Sequence, residues 1–205
     1  GLVSRTPLTL IASASTPSTL PALLAYAKAN PGQLNYGSGG TGSISHIAGE
    51  AFSQAAEVKL RHIPYKGNAA ALADLSGDHV HLLFDSLSNG LALSKQGRGH
   101  VIAVGSTKRN PSAPDVPTFA EAGLPDYSPT AWIGLFAPAG TPAAVVAKLG
   151  EAMQKATAQN PELIAKWRSY GGDLKGQTSA EFAAFLKQDD ALWGPAIRKA
   201  GVKLD

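Results

Sequence analysis

Apolar residues in this chain fall into short runs, spaced by stretches of helical periodicity and punctuated by glycine, proline and small polar residues. Leu8 to Ala12 is an apolar run that predicts a strand, and Ser13 to Ser18 reads as a loop. Leu20 to Asn30 has helical spacing, with Thr19 as its cap, Pro21 tolerated in the first turn and Pro31-Gly32 ending it. Leu34 to Tyr36 predicts a short strand, Gly37 to Gly42 a glycine-rich turn, and Ile44 to Ala55 a helix. Leu60 to Ile63 is the next strand; Tyr65-Lys66-Gly67 then turns into a helix that Asn68 can cap and that Ser76-Gly77-Asp78 stops. Val80 to Phe84 follows as a strand ending at Asp85-Ser86, then a helix through Leu87 to Ser94 and a strand from His100 to Gly105. This alternation predicts an α/β fold of parallel βαβ units, whose ligands sit outside the carboxyl ends of the strands. Gly37 to Ser43, Tyr65 to Gly67 and Asp85-Ser86 all lie at such ends.

The later chain is different in character. Thr107 to Thr118 is a surface loop broken by Pro111, Pro114 and Pro117, and Thr130 to Phe136 predicts a returning strand. Pro138-Ala139-Gly140-Thr141-Pro142 opens a helix to about Ala158, with Thr141 as cap and Pro142 at its first position. Asn160-Pro161 restarts a shorter helix to Tyr170, which Gly171-Gly172 ends. Thr178-Ser179-Ala180-Glu181 is a capping box for a last helix through Ala200, whose Phe182, Phe185, Leu186, Leu192 and Trp193 need a partner surface. Gly1 to Arg5 carries no clear pattern, and no internal repeat is visible.

Composition narrows the function classes. With 205 residues, 44% of them hydrophobic, the chain can bury a real core as one large domain or two small ones. The net charge of +3 comes without any run of Lys and Arg, which argues against a nucleic-acid surface and fits a modest preference for small anions. No stretch approaches the roughly 20 apolar residues of a membrane span, and the first residues lack a basic-then-apolar leader pattern. Absence of cysteine excludes disulfides, thiolate catalysis and thiolate metal sites.

The stretch richest in chemistry is Leu34 to Glu50. Four glycines between Gly37 and Gly42 let the backbone take positive φ and approach a ligand, and Ser43 or Ser45 is placed to cap the following helix. Free N–H groups at that helix start favour an anion, and Ser38, Thr41, Ser43 and Ser45 add hydroxyls around it. The loop therefore reads as a cradle for a carboxylate or phosphate, against the plainer reading of a glycine-rich connection with no ligand. Gly37, Gly39 and Gly42 satisfy G-x-G-x-x-G, but the next strand runs into Pro64-Tyr65-Lys66 with no acid for a ribose. A P-loop needs Lys then Ser or Thr after the last glycine, and Gly42 is followed by Ser43. Neither nucleotide motif is present.

These residues resemble a known family, the substrate-binding proteins of tripartite tricarboxylate transporters, also called Bug proteins. Leu24 to Gly32 with Leu34 to Ser38, then His46-Ile47-Ala48-Gly49-Glu50, is similar to the family's central signature. Pro64-Tyr65-Lys66-Gly67, Phe84-Asp85, Asp115-Val116-Pro117-Thr118 with Glu121 to Pro125, and Leu135 to Pro142 follow in the family's order. The resemblance implies a periplasmic binding protein of the two-lobed, type II clamshell kind, which captures small carboxylates between α/β lobes and delivers them to a membrane permease. It implies one nearly complete ligand-binding lobe over residues 1–130, and a return strand and C-terminal helices of the other lobe over 131–205. It further implies a ligand site of Ser38, Gly39, Gly40, Thr41, Gly42, Ser43, Tyr65, Lys66, Asp85 and Ser86, with no cofactor and no metal. Ser86 stands where the family commonly has Asn, which bears on ligand polarity. Family members are longer, at about 300 residues, in keeping with two lobes of ordinary size. The expectation is therefore a piece of such a protein, without the leader and without the opposing ligand loop, and prone to self-association through the exposed faces of its last helices.

Other readings have specific carriers. An α/β enzyme acting on a carboxylated metabolite would use Asp85 and His46 as acid and base, but no G-x-S-x-G elbow accompanies them, and His46 reads better as a brace for the glycine loop. A sensor or adaptor lobe that binds another protein would leave the loop empty. His79 and His81 with His62 lack an acidic or Cys partner at metal-site spacing, so solvent-facing imidazoles are expected there. Lys66 is placed either to neutralise a second carboxylate or to stay solvated, and Tyr65 either to reach the ligand or to fill the core edge. Trp132, Trp167 and Trp193 are expected in packing roles.

Overall fold

The computed structural model describes residues 1–201 and divides into two compact units. Gly1–Thr6 groups with Thr130–Gly194, and Pro7–Pro129 groups with residues 195–201. Chain order is thus not spatial order at the N-terminus. The stretch in which the sequence shows no pattern is β1 (Leu2–Pro7), and its Leu2 and Ser4 are buried. A hydroxyl at a buried position is what hides the alternation there.

The larger unit is built on β2 (Thr9–Ser13), β3 (Asn35–Ser38), β4 (Arg61–Pro64), β5 (Leu82–Asp85) and β6 (Gly99–Val104), in the order β4-β3-β5-β2-β6. Its helices are α1 (Leu20–Ala29), α2 (Ile44–Ala55), α3 (Asn68–Ser76) and α4 (Leu87–Lys95). The sheet is mixed rather than all parallel as expected. β3 pairs in parallel with β4 and β5, whereas β2 runs antiparallel to both β5 and β6. All five residues of β2 are buried, and an apolar run reads alike in either direction, so its polarity comes from the connections and not from its own pattern. The four remaining strands still point the same way, which keeps the carboxyl ends of β3, β4 and β5 on one edge.

Two packed faces hold that edge in place. Leu83 and Phe84 are consecutive in β5 and so point to opposite sides. Leu83 joins Ile11, Ala71, Leu75 and Leu93 in one buried cluster. Phe84 joins Phe52, Phe119 and Tyr127 in an aromatic one, where Phe119 and Tyr127 meet edge to face with centroids 4.8 Å apart.

Capping departs from the sequence reading at three helices. Thr19 and the residues before the helix Ala143–Gln159 make no side-chain cap, and the Thr141 hydroxyl instead donates to the Pro138 carbonyl at 2.8 Å. Gly67, with φ of +106°, precedes α3, which leaves Asn68 as the first helical residue, with its side chain free for another task.

The smaller unit contains the sheet β7-β1-β8, where β7 is Thr130–Gly134 and β8, unanticipated because it is only two residues long, is Asp173–Leu174. Its helices are α5 (Ala143–Gln159), α6 (Pro161–Ser169) and, as far as Gly194, α7 (Ser179–Ala200). The expected capping box is formed: Thr178 N–H donates to Glu181 Oε2 at 2.8 Å, and Glu181 N–H to Thr178 Oγ1 at 3.2 Å. Phe182 and Phe185 find their partner in Trp132, edge-on at 5.7 Å to each, with the indole N–H donating to Asp189 at 3.0 Å. Phe136, Val145, Leu149 and Leu192 remain exposed, Phe136 by 64%.

Candidate functional site

The carboxyl ends of β3, β4 and β5 bring together three helix starts. After Ser38 the chain turns through Gly39 to Ser43, and Gly40 and Gly42 take φ of +124° and +77°, a region open to glycine and costly for other residues. Ser43 then caps α2, accepting the His46 N–H at 3.4 Å. Beside it, Tyr65 and Gly67 at the exit of β4 donate their N–H groups to the carbonyls of Ser38 and Gly39 at 3.0 and 3.2 Å. At the exit of β5, Asp85 Oδ1 accepts the Ser86 N–H at 2.7 Å, and Ser86 Oγ caps α4 through the Asn89 N–H.

Much of the donor set that the sequence aims at an anion is spent holding the loop. Gly39 N–H donates to Ser45 Oγ at 3.0 Å, Gly40 N–H to Ser38 Oγ at 3.1 Å, Gly42 N–H to His46 Nδ1 at 3.0 Å, and Ser43 N–H to the Gly40 carbonyl at 3.1 Å. Among the described residues, the N–H groups of Thr41, Ile44 and Ser45 are the ones in this loop and first turn with no acceptor. Thr41 and Ile44 are exposed and Ser45 is buried, so the open donors run from the loop tip inward to the first turn of α2, where the helix dipole adds partial positive charge.

The remaining predicted residues differ in what they offer. Ser38 is fully buried and serves the loop from within. The Tyr65 hydroxyl donates to Asp74 Oδ2 at 2.7 Å, and burial followed by that carboxylate pushes its pKa up to about 12, so it is turned toward α3. Lys66 is exposed, while Asp85 and Ser86 are half-buried at the edge. Asn68, read only as a cap, is the tie between the three strand ends. Its Oδ1 accepts from Ser45 Oγ at 2.7 Å and its amide donates to the Phe84 carbonyl at 3.2 Å.

Beneath the loop lies a histidine pair whose members stand far apart in sequence. The register sets Tyr36 beside His62, and the His62 ring stacks on His46 with centroids 3.8 Å apart and planes 12° from parallel. His62 Nε2 lies 2.6 Å from Ser38 Oγ. His46 Nδ1 accepts from Gly42, so in the neutral ring the proton sits on Nε2, 3.8 Å from Glu50 Oε1. Burial lowers the pKa of His46, which Glu50 partly offsets; burial, then the neighbouring His46, lowers that of His62 to about 4. His62 is therefore not solvent-facing as expected, and neither is His81, whose Nδ1 accepts the Asn35 N–H at 3.1 Å. His79 is exposed. No cluster of three metal-ligating side chains occurs among the described residues. A cavity of about 440 Å³ opens at the opposite edge of the sheet, lined by Ser15 to Ser18, Tyr26, Leu34, His81 and His100, and none of the predicted site residues borders it.

Comparison with known proteins identifies the family of the chain. The pattern of the family described as the tripartite tricarboxylate transporter family receptor matches residues 2–202. A protein of Agrobacterium vitis, described as a UPF0065 protein in the TAR-I ttuE-ttuC' intergenic region, is 35% identical over 185 residues, covering 90% of this chain and 53% of its own. Among solved structures, R. palustris Rpa4515 with adipate matches with a TM-score of 0.87 at 31% identity, over 98% of this chain and 67% of that one. MatC of Rhodopseudomonas palustris, solved with bound malate, matches with a TM-score of 0.84 at 27% identity, over 96% and 68%. The chain thus spans about half the length of that curated relative and about two thirds of these solved ones. The family is one of receptors, and two further solved relatives are described as the periplasmic binding protein BugD and a TctC solute binding protein from Polaromonas, so the match is to binding proteins rather than to enzymes.

Proposed function

This chain belongs to the tripartite tricarboxylate transporter receptor family, and on that premise we propose that it is part of a periplasmic receptor for a small dicarboxylate, which it hands to the membrane permease of a tripartite transport system. The observation that carries the reading is the set of unpartnered N–H groups on Thr41, Ile44 and Ser45, presented at a helix start by a loop whose other amides are already satisfied. Such a set receives a carboxylate without rearrangement, because the loop is held in shape before the ligand arrives. Ser43, Asp85 and Ser86 border the same edge: the hydroxyls donate to a carboxylate, and Asp85 orders water or meets a hydroxyl or amino group on the ligand. Lys66, exposed just beyond the carboxyl end of β4, adds a favourable charge for an anion. The adipate and malate found in two relatives support a four- to six-carbon dicarboxylate as the ligand class.

Calorimetric titration of adipate and malate tests this, run on the chain as it stands and on the longest natural protein that contains it. A saturable signal that Thr41→Trp abolishes, with the melting temperature unchanged, is the expected result. Binding that survives Thr41→Trp at full strength would remove the loop tip from the site.

A further inference from the structure

We infer that His46, stacked on His62, is a proton gate under the glycine loop, so that the loop keeps its ligand-ready shape only while the His46 imidazole is neutral. The functional consequence rests on the carboxylate-receptor reading; the gate itself does not.

Geometry carries it. The loop is closed at Gly42 by an N–H that donates to His46 Nδ1 at 3.0 Å, and that nitrogen must be unprotonated to accept. A second proton on the ring would place a donor against a donor, so taking it up requires Gly42 to let go. The other end of the loop is held by Ser38, whose hydroxyl accepts from Gly40 N–H and lies 2.6 Å from His62 Nε2. The two rings stack at 3.8 Å, so an imidazolium at either position faces its neighbour across a distance where like charges repel strongly.

Among the described residues, Glu50 and Tyr36 are the titratable groups that face the pair. Glu50 on α2 stands 3.8 Å from His46 Nε2 and favours the charged ring, but it also accepts the Tyr36 hydroxyl, which spends part of its negative potential. Tyr36 on β3 stacks on His62 with centroids 5.0 Å apart, and its own ionisation is pushed far above the usual range by burial and by Glu50. Burial lowers the basicity of both imidazoles, which keeps the gate closed at neutral pH and opens it in acid. Because the site sits at the loop tip, opening at Gly42 displaces the Thr41, Ile44 and Ser45 donors, and ligand is released as protons are taken up.

The test has a readout independent of ligand. In 15N-labelled protein followed by NMR from pH 8 to pH 4.5, the Gly42 amide is expected to shift along the same curve as the His46 ring nitrogens. A Gly42 amide that stays constant while His46 titrates would overturn the gate, whatever the ligand proves to be. Adipate affinity is then measured over the same range for the natural sequence and for His46→Asn, whose side-chain oxygen can accept from Gly42 but cannot titrate. Adipate's own protonation is common to both, so the natural protein is expected to lose up to about tenfold more affinity per pH unit in the window where His46 titrates. Parallel profiles for the two proteins would also overturn the gate. If adipate binds neither protein at any pH, the NMR result still decides the gate, and it is the receptor reading that fails.

Discussion

The ring of Tyr36 occupies the space that a side chain at Gly49 would need: a Cβ there would lie well inside contact distance of the ring carbons. Glycine in the middle of α2 is thus a packing requirement that lets the helix lie close over β3. Gly49→Ala is expected to destabilise the protein by about 1 to 3 kcal/mol despite the better helix propensity of alanine. Gly150 in α5 is the control, because a Cβ there meets nothing within 4 Å. Gly150→Ala should stabilise by up to about 1 kcal/mol, and urea unfolding of the two variants measures the contrast.

Tyr36 also reaches Glu50 through its hydroxyl at 2.5 Å. Removing only that oxygen in Tyr36→Phe leaves the Glu50 carboxylate without its donor in a half-buried place. The expected loss is about 1.5 to 3 kcal/mol, read as a lower urea midpoint at unchanged slope. A changed slope would mean that the fold itself had loosened.

Acid should weaken the fold through His62. Its imidazole titrates near 6.5 in an unfolded chain and is lowered to about 4 here by burial and by His46. The unfolded state therefore binds a proton that the folded state refuses, so stability is constant above pH 6.5 and falls as the pH drops from there toward 4. His46 and His81, both also lowered chiefly by burial, act with the same sign. Thermal unfolding midpoints at pH 7.5 and pH 5 should diverge for the natural sequence and diverge less in His62→Gln, where His46 and His81 alone remain. Equal losses in the two proteins would assign the effect to other groups.

The aromatic cluster gives a graded prediction at Tyr127, which is buried among Phe52, Phe84 and Phe119 and donates to the Ala48 carbonyl at 2.7 Å. Tyr127→Phe removes one hydrogen bond and should cost about 1 kcal/mol, whereas Tyr127→Ala opens a cavity and should cost about 3 to 5. Near-UV circular dichroism of the alanine variant is expected to lose intensity as the cluster loosens.

Local signals were readable from the chain alone. Strand and helix positions from Leu8 to Val104, a serine cap on α2 at Ser43 or Ser45, the Thr178–Glu181 box and the convergence of three loops at strand ends all follow from periodicity, turn chemistry and short-range hydrogen bonding, which act over a few residues. The glycine loop was recognisable for the same reason: its glycines and hydroxyls are contiguous. Long-range pairing supplied what the chain alone left open. The reversed direction of β2 and the place of β1 beside β7 and β8 depend on partners 70 or more residues away along the chain. The stacking of His62 on His46, and the work of Asn68 in tying Ser45 to Phe84, depend on the register of β3 with β4 and β5. Which loop amides stay open for an anion was likewise a tertiary outcome, because each N–H is claimed or spared by side chains that only the folded sheet brings within reach.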